Sequence, residues 1–162
     1  MAEAKKTDYP SAMALLAVAR QYLEGAEIIF ANKRRLIYPL YFLYFQTVES
    51  LLKAYLKTHG KERRGHKLSR LCGEAHNLGL KIERDKLRGH HLQNVAALLE
   101  SGNIDAAFRY PTRKSRTKPD LAWTRDIVEE LLSAVTPVVE STSDKTKSGL
   151  PAAFNVILRV DG

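Results

Sequence analysis

Apolar positions recur along most of this chain at the three-and-four spacing of an α-helix, dividing it into about five amphipathic segments. In the first, Ala12, Leu15, Leu16, Ala19, Tyr22, Leu23, Ala26, Ile29 and Phe30 form an apolar stripe, and Arg20, Gln21, Glu24 and Glu27 take the other side. Ser11, after Tyr9-Pro10, is placed to cap its N-terminus. Asn32 and the triplet Lys33-Arg34-Arg35 suit its end, where cations meet the negative pole of the helix dipole. A second helix is predicted from Leu36 to His59, ended by Gly60, with Pro39 accepted in its first turn. From Leu36 to Phe45 it is apolar on every side and needs cover all round, either as the central helix of a bundle or as one shared with a second subunit. Beyond Phe45 it turns amphipathic, and Gln46, Glu49, Lys53 and Lys57 form one polar stripe.

The loop Lys61-Glu62-Arg63-Arg64-Gly65 precedes a third helix that begins at His66. Its apolar face is Leu68, Leu71, Cys72, Ala75 and Leu78, and Gly79 supplies its C-cap. Leu80 to Gly89 carries no decisive period. A fourth helix runs from His90 or His91 to Glu100, burying Leu92, Val95, Ala96 and Leu99 ahead of Gly102. The last long helix starts at Pro119-Asp120, with Ile127, Leu131, Ala134, Val135 and Val138 inward and Arg125, Asp126, Glu129 and Glu130 towards water. Pro137 should kink or loosen its final turn. Short connections favour antiparallel neighbours, so the expected fold is all-α, an up-and-down bundle of four to five helices within residues 1–140. Residues 141–162 read as a polar linker, Ser141 to Gly149, and a tail. Within that tail, Phe154 to Val160 is β-branched enough for a short extended strand, which would have to pack on the bundle or pair with another chain.

At 162 residues, 44 % apolar and 27 % charged, the chain is one globular domain with enough material for a core. A single cysteine, Cys72, excludes an internal disulfide framework and reads as a small buried side chain. No apolar signal-peptide core follows the N-terminus, and the longest apolar run falls well short of the about 20 residues a membrane span needs. A cytoplasmic protein without a membrane partner is expected.

The net charge of +8 permits binding to phosphate backbones, because each neutralised phosphate releases counterions. The phosphate-contact candidates are Arg63 and Arg64 in one loop and Arg109, Arg113, Lys114, Arg116 and Lys118 in another. There is no glycine-rich phosphate loop, metal-ligand spacing or nucleophile elbow, so no metal or cofactor is expected. Among the histidines, His66 reads as a cap or packing residue at a helix start, and His59 and His76 as solvated residues near helix ends. Glu49 and Lys53 read as an i,i+4 ion pair. Tyr38, Tyr41, Phe42, Tyr44 and Phe45 read as core or as a dimer interface.

Three pieces in order carry a family resemblance. They are Gln46 to Gly60 with Glu49 four residues before Lys53, then Gly65-His66-Lys67-Leu68, then Phe108-Arg109-Tyr110-Pro111. Together with the helix pattern from Ala12 to Glu140, this resembles the HEPN domains: a glutamate–lysine helix, a "G-H-x-L" helix start and an "A-R-Y-P" run, from which Phe108 departs. The resemblance implies an all-helical fold, frequent homodimers, and roles in toxin–antitoxin, antiviral or RNA-processing systems. Many members are metal-independent endoribonucleases, and others act as binding or accessory partners of nucleotidyltransferases. The ribonuclease members carry an arginine and a histidine with four to six residues between them. This chain offers Arg84 with His90 or His91. On a continuous helix, Arg84 and His91 would share a face while Arg84 and His90 would diverge by about 120°. In that reading the histidine would move a proton to or from the reacting oxygens, and the arginine would hold the phosphate. The pair precedes the fourth helix here, whereas in the ribonuclease members it lies near the start of the last core helix, and Arg109 to Asp126 contains no histidine. The leading expectation is therefore an accessory homodimer that binds RNA, a nucleotide or a partner such as a nucleotidyltransferase. The alternatives are an endoribonuclease using Arg84 with His90 or His91, and a structural interaction protein.

Overall fold

In the structure, a computed structural model, residues 8–32, 36–87, 89–103 and 118–148 are described. Among them the chain forms six helices and no strand: α1 (Ala12–Asn32), α2 (Ile37–Thr58), α3 (Leu68–Asn77), α4 (Glu83–Leu87), α5 (His91–Asn103) and α6 (Leu121–Ser148). The all-α bundle is as expected, with the short α4 added in the segment that lacked a period. Lys33-Arg34-Arg35, Arg88, Phe108-Arg109-Tyr110-Pro111, Arg113, Lys114, Arg116 and the tail strand at Phe154 to Val160 lie outside the described residues.

The helix ends follow local chemistry. Ser11 Oγ accepts from the Ala14 amide at 3.1 Å, capping α1 as its position predicts. Asp120 Oδ1 takes the Trp123 amide at 2.8 Å and caps α6. At the end of α2, Gly60 (φ 73°) lets its own amide reach the Lys57 carbonyl and the Lys61 amide reach that of Leu56. Gly79 (φ 98°) does the same after α3, with Gly79 N–H to His76 and Leu80 N–H to Ala75. Both are Schellman ends, which need a left-handed residue that only glycine adopts without strain. Two other caps come from distant helices. Glu100 of α5 accepts from the amide and hydroxyl of Ser69 in α3, and Asp85 of α4 accepts from the His91 amide that opens α5.

α2 is the central helix, packing on α1, α6, α3 and α5. Its buried residues include Leu40, Tyr44, Phe45, Val48, Leu51, Leu52 and Leu56, all 2 % exposed or less. They meet Leu16, Ala19, Leu23 and Ala26 of α1, and Ile127, Val128, Leu131 and Val135 of α6, in one core. The Tyr41 hydroxyl donates to the Pro119 carbonyl and so ties α2 to the chain entering α6.

Several sequence expectations are corrected here. The all-round cover falls on the second half of α2, from Thr47 to Leu56, while Leu36, Ile37 and Tyr38 at its start are exposed. The polar stripe is buried at its centre, where Glu49 and Lys53, 6 % and 9 % exposed, form the expected i,i+4 ion pair. α3 begins at Leu68 rather than His66, with Lys67 still extended ahead of it. α6 continues through Ser141 to Ser148, where a polar linker was expected. It also continues past Pro137: Ser133, whose carbonyl loses its amide partner there, is exposed, so water can satisfy that group. Arg125, Asp126, Glu129 and Glu130 are half-buried rather than freely solvated.

Candidate functional site

The residues singled out by the sequence fall on two corners of the bundle. At the first, Arg84 of α4 lies against α6. Its Nε donates to Glu130 Oε1 at 2.8 Å, its Nη2 to Asp126 Oδ2 at 2.8 Å, and its own amide to Glu130 Oε2 at 3.1 Å. The hydrogen bond to Glu130, with the charges of both carboxylates, holds the guanidinium above its ordinary pKa. Two of the faces that would grip a phosphate are thus already engaged.

The chain between Arg84 and the histidines is not one helix. α4 stops at Leu87, Gly89 has φ 126°, and α5 starts at His91. A Cβ at Gly89 would lie 3.0 Å from the His91 ring, so a side chain there would meet both strain and a clash. The shared-face geometry of a continuous helix therefore does not apply to Arg84 and His91. The Asp85 cap nevertheless keeps α4 beside the start of α5. His91 is half-buried, with its ring edge-on to Trp123 at 6.2 Å. His90 is exposed and lines a cleft of about 330 Å³ with Cys72, His76, Asp85 and Gln93. Cys72 is 3 % exposed, and burial first, then the charge of Asp85, pushes its thiol up to about 12. It is a buried neutral side chain, as expected.

The second corner joins the end of α2 to the start of α3, and the periodicity did not reveal it. Glu49 Oε1 accepts from Lys53 Nζ at 2.5 Å and is 2.7 Å from His66 Nδ1. The Glu49 side chain is 7 % exposed, and its second oxygen, Oε2, is buried without a hydrogen-bond partner among the described residues. His66, by contrast, is 75 % exposed. A buried carboxylate thus anchors one edge of an exposed imidazole, leaving Nε2 free to turn outward. The same corner gathers cations. Arg63 and Arg70 both bind Glu74, at 2.6 Å and 3.1 Å, and these bonds, Arg63's first, hold the Glu74 carboxyl below its ordinary value. Arg63, Gly65, His66, Lys67 and Arg70 line a cleft of about 460 Å³ beside the N-terminus of α3. Of the predicted phosphate contacts, Arg63 and Arg64 lie here. Lys118 is apart, with its ammonium 4.2 Å above the Tyr38 ring.

Other single residues fall as follows. His59 and His76 are exposed as expected, although His59 Nδ1 sits 3.0 Å from the Tyr55 carbonyl. Tyr41, Tyr44 and Phe45 are core, Phe42 packs on its edge, and Tyr38 is at the surface. Among the described residues no group of three or more His, Cys, Asp and Glu side chains is arranged to hold a metal ion, and no helix is long and apolar enough to cross a membrane.

The buried glutamate–lysine pair, the G-H-x-L turn beside it and the all-helical bundle define a class: small helical-bundle domains of the HEPN type. The HEPN domain family model matches residues 12–145, most of the chain, and the chain belongs to that family. A solved structure of an archaeal HEPN homologue matches with 19 % sequence identity and a TM-score of 0.45, covering 84 % of this chain and 98 % of that one. Among curated proteins nothing matches.

Proposed function

We propose that this chain is an accessory member of the family that works as a homodimer and binds RNA or a nucleotide by its phosphates, at the corner between α2 and α3. The observation that carries this reading is the gathering of Arg63, His66, Lys67 and Arg70 around one cleft at a helix N-terminus, with Arg64 in the same loop. Arg63 and Arg70 bond Glu74 through Nε, which orients each guanidinium, whereas Arg84 gives both Nε and Nη2 to carboxylates, so the pair at this corner loses less side-chain entropy when a phosphate arrives and has more of its donors to offer. The positive end of the α3 dipole adds to the same field. A nucleotidyltransferase remains the partner implied by the family.

The test is fluorescence anisotropy with a short labelled single-stranded RNA across a salt series. For single strands the logarithm of affinity should fall against that of salt with a slope of about −0.7 per neutralised phosphate. The double variant Arg64→Glu/Lys67→Glu should weaken binding more than Lys118→Glu. No binding at low salt, or binding indifferent to salt, rejects the reading. Light scattering tests the homodimer separately.

A second reading, metal-independent RNA cleavage, is favoured by one observation: the Asp85 cap keeps the helix of Arg84 beside the helix start that bears His90 and His91. Cleavage that disappears in Arg84→Ala and in His90→Ala/His91→Ala would support it. Cleavage that survives both removes that site.

A further inference from the structure

The short segment ahead of α1 lies beside the end of α2 and reaches the cationic corner. Tyr9, half-buried, donates its hydroxyl to the Arg63 carbonyl at 3.1 Å, and the same oxygen accepts from the Arg63 amide at 3.2 Å. One hydroxyl therefore satisfies both backbone groups of a residue 54 positions away, in a loop that has no helix or strand to satisfy them. The ring is also flanked by charge. Lys57 Nζ lies 5.3 Å from its centroid and the Arg64 guanidinium carbon 5.9 Å, both within reach of a cation–π attraction. Tyr9 thus touches three cationic residues of the corner at once: the backbone of Arg63 and the side chains of Lys57 and Arg64.

We propose that Tyr9 is a positioning residue for the phosphate site, a clamp that fixes the loop before α3 so that Arg63, Arg64 and His66 present themselves together. The proposal rests on the binding reading above and adds to it the residue that sets the shape of the site. Without the clamp, the loop is restrained by the side-chain ion pairs Lys57–Glu62 and Arg63–Glu74 while the Arg63 backbone loses its partner, so the loop samples more conformations and ordering it becomes a cost of binding. With the clamp, the free protein already holds the loop in place. Pro10 and the Ser11 cap fix the segment on α1, so the clamp is anchored at its own base.

The experiment compares wild type with Tyr9→Phe and Tyr9→Ala by amide hydrogen exchange and by anisotropy with the same labelled RNA over a salt series. Tyr9→Phe keeps the ring between Lys57 and Arg64 and removes only the hydroxyl. It should speed exchange at Arg63, leave the amides of Leu51 and Leu52 in α2 protected, and weaken RNA binding about fivefold, the equivalent of one hydrogen bond. Tyr9→Ala should be weaker again. Amide exchange separates a clamp from a merely structural role: loss of the clamp frees Arg63 while Leu51 and Leu52 stay protected, whereas a smaller folded fraction speeds exchange at all three, and the salt slope stays that of wild type because the bound state neutralises the same phosphates. Wild-type exchange at Arg63 in Tyr9→Phe overturns the clamp whatever the RNA does. Faster exchange at Arg63 with unaltered affinity overturns its role in binding. A wild-type protein that binds no RNA at low salt, with Arg63 exchange still dependent on Tyr9, overturns the binding reading and leaves the clamp as a loop-ordering contact alone.

Discussion

Glu49 carries an unusual load for one residue. It is almost wholly buried, takes two donors on one oxygen, and has no partner among the described residues on the other. Burying an ion pair brings little net stability, yet stripping one partner leaves a charge with no water to solvate it. Glu49→Leu should therefore destabilise the protein by about 3–5 kcal/mol, and the double variant Glu49→Leu/Lys53→Met by clearly less. Urea denaturation of the wild type, both single variants and the double closes this cycle, and additive losses would show that the pair is not coupled. Glu74 gives a pH-dependent counterpart. Its carboxyl is held, by Arg63 first, below the ordinary glutamate value that it takes in the unfolded chain. The folded state then binds fewer protons, so this stabilisation is complete above that value and is lost as pH falls through the depressed folded value. Wild type should exceed Glu74→Gln in stability at neutral pH, and the gap should close in acid. A gap that is constant with pH would mean that ionisation of Glu74 is not its source.

Among the helices, glycine and carboxylate ends set where each one stops and starts. Gly79 is in the left-handed region, and a Cβ there would find only the Tyr55 hydroxyl, 4.0 Å away. The cost of Gly79→Ala is therefore conformational rather than steric, about 1 kcal/mol. A thermal melt checks this, and an unchanged midpoint would mean that the turn relaxes to another form. The helix α4 illustrates the opposite case. It is only five residues long with none of them buried, too short to persist alone. It exists because Arg84 is clamped by Asp126 and Glu130 of α6 and because Asp85 caps α5. That corner is built from ion pairs, and an arginine that serves this purpose is less available to a substrate.

Over the whole molecule, α2 is the element on which the others depend, since α1, α3, α5 and α6 all pack on it. Arg125 adds a polar tie by joining α6 to Glu27 of α1 at 2.7 Å. Deep within α2, Leu51 and Leu52 are completely buried. Leu51→Ala should cost about 2–5 kcal/mol, the transfer of the lost methyls plus the cavity left behind. Because the core is shared, circular dichroism and intrinsic fluorescence should report the loss in one transition at the same denaturant concentration. Separate transitions would mean that the bundle is two cooperative units.

What the sequence determined by itself was local or periodic. The Ser11 cap, the glycine ends at Gly60 and Gly79, and the apolar faces of α1, α3, α5 and α6 are written in neighbours three or four positions apart, where backbone geometry makes the contact unavoidable. Ordered motifs likewise marked the family. The tertiary structure decided which polar residues meet. Glu49 and His66 are 17 positions apart, Arg84 and Glu130 46, and Tyr9 and Arg63 54. No spacing rule reaches that far, because these distances depend on how packed helices bring their ends together. The burial of Glu49 and Lys53 shows the same limit. Their spacing was legible as an ion pair, but whether that pair faced water or protein depended on the helices and the loop laid over it.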